Sequence, residues 1–164
     1  MEKPSSLTRL ESCGKVSRRK VIAAFSGIGL TGLFATSRAT SAGHPLVQPG
    51  EPTDAVFIER AFSMKSRAIE LGDQDYGAVV VSNGQIIGES WSRVRLDEDP
   101  TAHAEMSALR DAAKRSGSGA LRGAVLYSSS HPCSMCQAAA DWVGIATMIY
   151  GRSATNAGPP RSCG

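Results

Sequence analysis

Apolar residues recur at a helical period in the first patterned part of the chain. They fall close to every third or fourth position at Val56, Phe57, Ala61, Met64, Ala68 and Ile69. This spacing predicts an amphipathic helix. Thr53 or Asp54 can cap its start, because short polar side chains accept hydrogen bonds from free helix amides. Gly72 can end it, since glycine adopts the backbone conformation common at helix ends.

The pattern that follows switches between strand and helix periods. The Asn-Gly pair at 83–84 is a strong signal for a tight hairpin. In order, the pattern predicts strands over 76–81 and 86–91, a helix over 102–115, a strand over 124–127, a helix over 133–143 and a strand over 147–150. The order α-β-β-α-β-α-β predicts a three-layer α-β-α sandwich on a mixed sheet. The tail NAGPPRSCG is predicted as a loop.

Charge is unevenly distributed along the 164 residues. Residues 1–42 hold seven basic and two acidic residues, a net of +5, whereas residues 43–164 hold eleven and thirteen, a net of −2. A protein that binds long nucleic acid normally presents a basic stripe. The weakly acidic body therefore favours a small-molecule substrate and argues against long nucleic acid as a partner.

The basic N-terminal segment has the layout of an export signal. Arg18 and Arg19 precede the apolar run 21–34, which is too short to span a bilayer core of about 30 Å. Small residues follow, and cleavage after Ala42 or Ala39 fits them. The paired arginines resemble a twin-arginine signal; a membrane anchor or a buried helix is the alternative.

Three segments follow from this layout. We expect a signal peptide over 1–42, a linker rich in proline and glycine over 43–53, and one domain over 54–164. The protein is then exported to the periplasm or the extracellular space, with no stable membrane anchor after cleavage.

Cysteine and histidine carry the candidate chemistry. Cys133 and Cys136 lie three residues apart at a predicted helix start, where both can point the same way. Alone, this spacing fits a redox motif, half of a structural zinc site, or chance. Upstream, His103 and Glu105 complete the pattern H-x-E followed by P-C-x-x-C, which is the signature of zinc-dependent base deaminases. Three protein ligands leave a position for water, which is typical of catalytic zinc.

These motifs resemble the cytidine and deoxycytidylate deaminase superfamily. DPTAHAEMSALRDA and PCSMC are similar to its guanine deaminase and tRNA adenosine deaminase branch, and DQDYGAVVV resembles that branch's first strand. The resemblance implies the cytidine deaminase fold and Zn²⁺ held by His103, Cys133 and Cys136. It also implies that Glu105 carries protons from the attacking water to the base and to the leaving amine.

The remaining site residues are expected from the same resemblance. Tyr76, Ser92 and Ala104 are candidates for contact with the substrate, and Ser92 stands where the branch commonly has an asparagine. His131, before the Pro-Cys pair, is predicted to support the loop rather than to be a fourth ligand. We expect a C-terminally shortened fold, without the last strand and helix of the relatives, and a homodimer in which a partner subunit covers the bare sheet edge.

Together these features predict a hydrolytic deaminase of a small nucleobase or nucleoside, with guanine-like purines favoured. A tRNA adenosine deaminase is the alternative enzyme. An inactive relative that is stabilised by zinc and acts as a binding module is the alternative outside catalysis.

The export hypothesis has a direct test. Replacing Arg18 and Arg19 with lysine should retain the protein in the cytoplasm, because the twin-arginine pathway recognises the arginine pair and not its charge alone. Immunoblots of fractionated cells measure the distribution. Export that continues unchanged would point to the general secretory route or to the absence of a signal.

Overall fold

The computed structural model describes residues 44–161. The predicted signal peptide, Cys13 and Cys163 lie outside these residues. Within the described range, no helix combines the length and the apolar character needed to cross a membrane.

Helices lie on both faces of one mixed sheet, so the predicted three-layer sandwich is confirmed. The elements are α1 Asp54–Glu70, β1 Gly77–Ser82, β2 Gln85–Trp91, α2 Ala104–Ser116, a 3-10 turn Ser118–Leu121, β3 Val125–Ser128, α3 Ser134–Val143, β4 Thr147–Tyr150 and β5 Thr155–Gly158. Most predicted bounds differ from these by one or two residues.

The strand order is β2-β1-β3-β4-β5. β3 and β4 run parallel and are joined through α3, while the other neighbouring pairs run antiparallel. Because β1 opposes β3, Ala78 pairs with Ser128, and the start of β1 also pairs with the end of β2 through Gly77 and Trp91. The loops that follow β2 and β3 therefore lie beside the start of β1, at one end of the sheet.

The β-branched strand β1 fills the centre of the core. Its Val79 and Val81 pack under α1, whereas Ala78 and Val80 pack under α2 and α3. Gly88 on β2 allows α2 to lie close to the sheet, because a Cβ atom at this position would collide with the α2 backbone at Ala112. Helix α2, which carries two of the predicted site residues at its start, is thereby seated directly on the sheet.

The prediction of a loop after β4, with a bare sheet edge, is wrong. Residues 155–158 form β5, which pairs antiparallel with β4 through Tyr150–Thr155 and Ile149–Asn156. A tight turn connects β4 to β5. In this turn the Ala154 amide donates a hydrogen bond to the Gly151 carbonyl. The segment TNAG has little intrinsic strand preference, so pairing with a formed neighbour decides its conformation. Among the described residues no helix follows β5.

The segment predicted as a linker contacts the opposite edge of the sheet. The Gln48 side chain donates to the Ile86 carbonyl and accepts from the Ile86 amide, both at 2.8 Å. His44 Nε2 lies 2.7 Å from Glu89, a buried carboxylate that also binds the Arg60 guanidinium through two hydrogen bonds. Gln48 thus occupies both backbone hydrogen-bonding positions of Ile86 on edge strand β2, and His44 contacts the side chain of Glu89 on the same strand.

Asp73 fixes the loop that leads into α2. Its buried carboxylate accepts hydrogen bonds from the amides of Gln74, Arg95 and Leu96 at 2.7–3.0 Å and from the Ser92 hydroxyl at 2.8 Å. Burial opposes ionisation, but these four bonds outweigh it and hold the pKa of Asp73 below its usual value. One carboxylate therefore joins the turn after α1 to the loop before α2.

Asp73→Asn should destabilise the protein, because an amide nitrogen would face donors that now bind a carboxylate. We expect the free energy of unfolding at neutral pH to fall by about 1–3 kcal/mol in urea titrations. The folded state lowers the pKa of Asp73, so its stabilisation exists above the ordinary carboxyl range and is lost as pH falls. The gap between variant and wild type should close in acid. Glu98→Gln, an exposed change in the same loop, is the control; equal losses in both variants would contradict this role.

Candidate metal centre

Three side chains that can bind metal converge at the end of the sheet where the central strand β3 ends. His103 Nδ1 lies 3.7 Å from the sulfurs of both Cys133 and Cys136, and the two sulfurs are 3.6 Å apart. Among the residues that the structure describes, this is the group with the spacing and donor atoms for a metal ion. The structure thus brings together the three predicted ligands.

The backbone at two helix starts produces this convergence. His103 and Cys133 are the N-cap residues of α2 and α3, and both have extended ψ angles, 156° and 169°. An N-cap side chain is not bound to the helical rotation of 100° per residue. His103 can therefore point to the same place as Glu105, although residues two apart within a helix lie on nearly opposite sides. Cys136, in the first turn of α3, points back to Cys133.

The electrostatic setting favours a bound cation. Burial, the Glu105 carboxylate and the neighbouring Cys133 all raise the pKa of the Cys136 thiol. The thiolate that a metal needs is therefore unfavourable unless a positive charge offsets these effects. Two helix N-termini supply part of that charge, and a metal cation supplies the remainder.

The donor spacing also fits zinc. A tetrahedral ion bound at about 2.3 Å by sulfur and about 2.0 Å by nitrogen separates its ligand atoms by about 3.5–3.8 Å. The three separations found here, 3.6, 3.7 and 3.7 Å, correspond to the edges of such a tetrahedron. Cys133 is exposed, so one side of the group is accessible to a small molecule.

Glu105 lies beside the ligands without being part of the group. Its Oε2 is 3.6 Å from the Cys136 sulfur, and its Oε1 accepts a hydrogen bond of 2.8 Å from the Ser128 hydroxyl. The side chain is buried in the first turn of α2. A buried carboxylate therefore lies next to the group of metal-binding donors.

The other predicted site residues lie in different environments. Tyr76 is 40% exposed and directly precedes β1, at the same end of the sheet as the metal group. Ser92 and Ala104 are fully buried, and the Ser92 hydroxyl donates to Asp73, so neither side chain is accessible to a ligand in this conformation. His131 is exposed and packs edge-on against Tyr150 at 4.7 Å, outside the metal group.

Sequence reasoning missed two residues that support the site. Ser128 ends β3 and holds Glu105, while Asp73 holds the loop before His103. The serine run 128–130 before Pro132 was a visible signal, since short hydroxyl side chains at a strand end often bind neighbouring polar groups. No signal in the sequence pointed to Asp73, because its partners Ser92, Arg95 and Leu96 lie 19 to 23 residues further along the chain and only the fold brings them close.

Fold and site together define a family. Residues 51–152 match the family described as the cytidine and deoxycytidylate deaminase zinc-binding region, and the chain belongs to it. The predicted resemblance and the predicted Zn²⁺ cofactor are thereby confirmed, since the family is a zinc-binding one and His103, Cys133 and Cys136 form a group able to hold the ion.

Guanine deaminases and tRNA adenosine deaminases, the two kinds of enzyme in the predicted branch, are both among the relatives. Guanine deaminase from Bacillus subtilis is 37% identical over 102 residues, which are 62% of this chain and 65% of the relative. The crystal structure of guanine deaminase from that organism superposes with a TM-score of 0.56, covering 58% of this chain and 62% of that one. The tRNA-specific adenosine deaminase from Aquifex aeolicus is 40% identical over 80 residues, 49% of this chain and 53% of the relative. The chain thus matches less than two thirds of the length of these relatives.

Removing one ligand should abolish metal binding. Purified wild type should contain about one zinc ion per chain, and Cys133→Ala should contain nearly none, because the two remaining protein ligands bind the ion too weakly to retain it during purification. Ser134→Ala, an exposed change in the same helix turn, should keep its zinc. Elemental analysis gives the content, and full retention in Cys133→Ala would refute the ligand assignment.

Proposed function

We propose that the protein is a zinc-dependent hydrolytic deaminase of a small nucleobase or nucleoside, with guanine-like purines favoured. The observation that supports this most is the buried Glu105 carboxylate beside an accessible His/Cys/Cys group. Zinc in a three-ligand site lowers the pKa of a water molecule and so makes a nucleophile available near neutral pH. The net reaction replaces the amino group on a ring carbon with oxygen and releases ammonia.

Glu105 is suited to carry the protons of this reaction. One carboxylate oxygen is held by Ser128, which leaves the other, 3.6 Å from Cys136, facing the metal group. In the proposed reaction it takes a proton from water and gives it to a ring nitrogen. It then carries the second proton to the amino group, which leaves as ammonia. A carboxyl group suits both steps because it accepts and donates in turn.

The charges near the site support a small substrate. Two basic side chains at this end of the sheet are paired with acids, Arg93 with Asp97 and Lys65 with Asp75, whereas Arg95 donates to the Gly72 carbonyl. Paired charges offer little to a polyanion, whose binding depends on cations that neutralise phosphates. The net charge of −2 over residues 43–164 points the same way.

The second candidate is a tRNA adenosine deaminase, which the 40% identity to the enzyme of Aquifex aeolicus favours. Export, which we propose from the Arg18-Arg19 signal, would separate the protein from tRNA. Ammonia release from guanine, adenine, cytosine and their nucleosides, measured beside inosine formation in tRNA, distinguishes the two enzymes. Zinc-loaded protein that is inactive on all of them would instead favour the binding module. The homodimer stays a prediction, although the edge of β4 that a partner was expected to cover is covered by β5, and light scattering tests it.

Glu105→Ala should retain zinc and fold but lose turnover, because Glu105 is not a ligand. General acid–base groups contribute about 10²–10⁴-fold, and a residue that serves several transfers should reach the top of that range. Kinetics on the base that the wild type deaminates, with zinc analysis of the same samples, measure the effect. Glu70→Ala, an exposed change on α1, is the control. Activity that survives in Glu105→Ala would refute the proton-transfer role.

A further inference from the structure

We infer that Ser128 is a positioning residue that aims the Glu105 carboxylate at the reacting molecule. The inference rests on the proposed deaminase function, and it assigns a role to a residue outside both metal-binding motifs. Ser128 contacts neither the substrate nor the metal in this scheme, and acts through Glu105.

The hydrogen bond between Ser128 and Glu105 is short and buried from solvent. Ser128 Oγ lies 2.8 Å from Glu105 Oε1, and the two residues are 0% and 4% exposed. The Ser130 amide points to the same hydroxyl oxygen at 3.5 Å. Because an amide can only donate, this contact uses the oxygen as an acceptor and leaves the hydroxyl proton for the carboxylate.

The backbone of Ser128 is held by a neighbouring strand on each side. Ser128 ends β3 and pairs with Ala78 of β1 on one side and Tyr150 of β4 on the other. Its carbonyl also accepts from the Gly151 amide at 3.0 Å. A site group fixed by strands on both sides is placed more accurately than one on a loop.

The hydrogen bond from Ser128 gives the two Glu105 carboxylate oxygens different partners. Oε1 is anchored to the sheet through Ser128, so Oε2 is directed towards the metal ligands, 3.6 Å from the Cys136 sulfur. Without the hydroxyl, Oε1 would lack a donor in a buried place and the carboxylate would turn to find one. Such supporting contacts around metal sites are typically worth about 10–100-fold in activity.

The experiment compares Ser128→Ala, Ser128→Thr and the control Ser90→Ala. Ser90 is also a buried serine on a strand, but its hydroxyl donates to the adjacent Trp91 carbonyl and not to Glu105. In Ser128→Ala, kcat should fall by about 10–100-fold at nearly constant KM and zinc content. Ser128→Thr keeps the hydroxyl and should recover most of kcat, whereas Ser90→Ala should match wild type. A role in packing alone would give neither the rescue nor the effect confined to kcat.

Crystal structures of wild type and Ser128→Ala supply a readout that does not need activity. The Glu105 carboxylate should move away from its position beside Cys136 in the variant. An unmoved carboxylate, or a kcat within about twofold of wild type, would overturn the inference. If the wild type deaminates no base, the proposed function fails, yet the two structures still decide whether Ser128 holds Glu105.

Discussion

The site depends on a change of backbone conformation at two positions. His103 and Cys133 are the last extended residues before α2 and α3, and their side chains therefore leave the helices at angles that no helical residue could take. The same two positions lie where helix dipoles and free amides favour negative charge. Because the sheet brings both helix starts to the end of β3, three donors and one carboxylate meet at a single point.

The metal half of the site could be predicted because its determinants are local. His103 and Cys133 are 30 residues apart, but within each motif the ligands and the helix start lie within a few residues of one another. Strand β5 could not be predicted, since Thr155–Gly158 becomes a strand through pairing with β4 and not through its composition. Ser128 and Asp73 act on residues 19 or more positions away along the chain, and only the fold brings them close.

Ser92, which was predicted to contact the substrate, instead supports the loop before α2. Ser92 stands where an asparagine was expected, and its hydroxyl is engaged by Asp73 inside the protein. Asp73 in turn holds Arg95 and Leu96, so this position belongs to the support of the loop. The loop between β2 and α2 therefore takes its shape from tertiary hydrogen bonds.

The Gln48 side chain has a consequence for how copies of the protein meet. A free strand edge is a template on which another chain can add a strand, which is a common start of aggregation. Here the side-chain amide of Gln48 imitates a peptide group and takes both backbone positions of Ile86, while Asp111 takes the Glu89 amide at 3.1 Å. An incoming strand would have to displace these bonds before making its own. Gln48 and Asp111 thus protect the edge of the folded domain against association with another sheet.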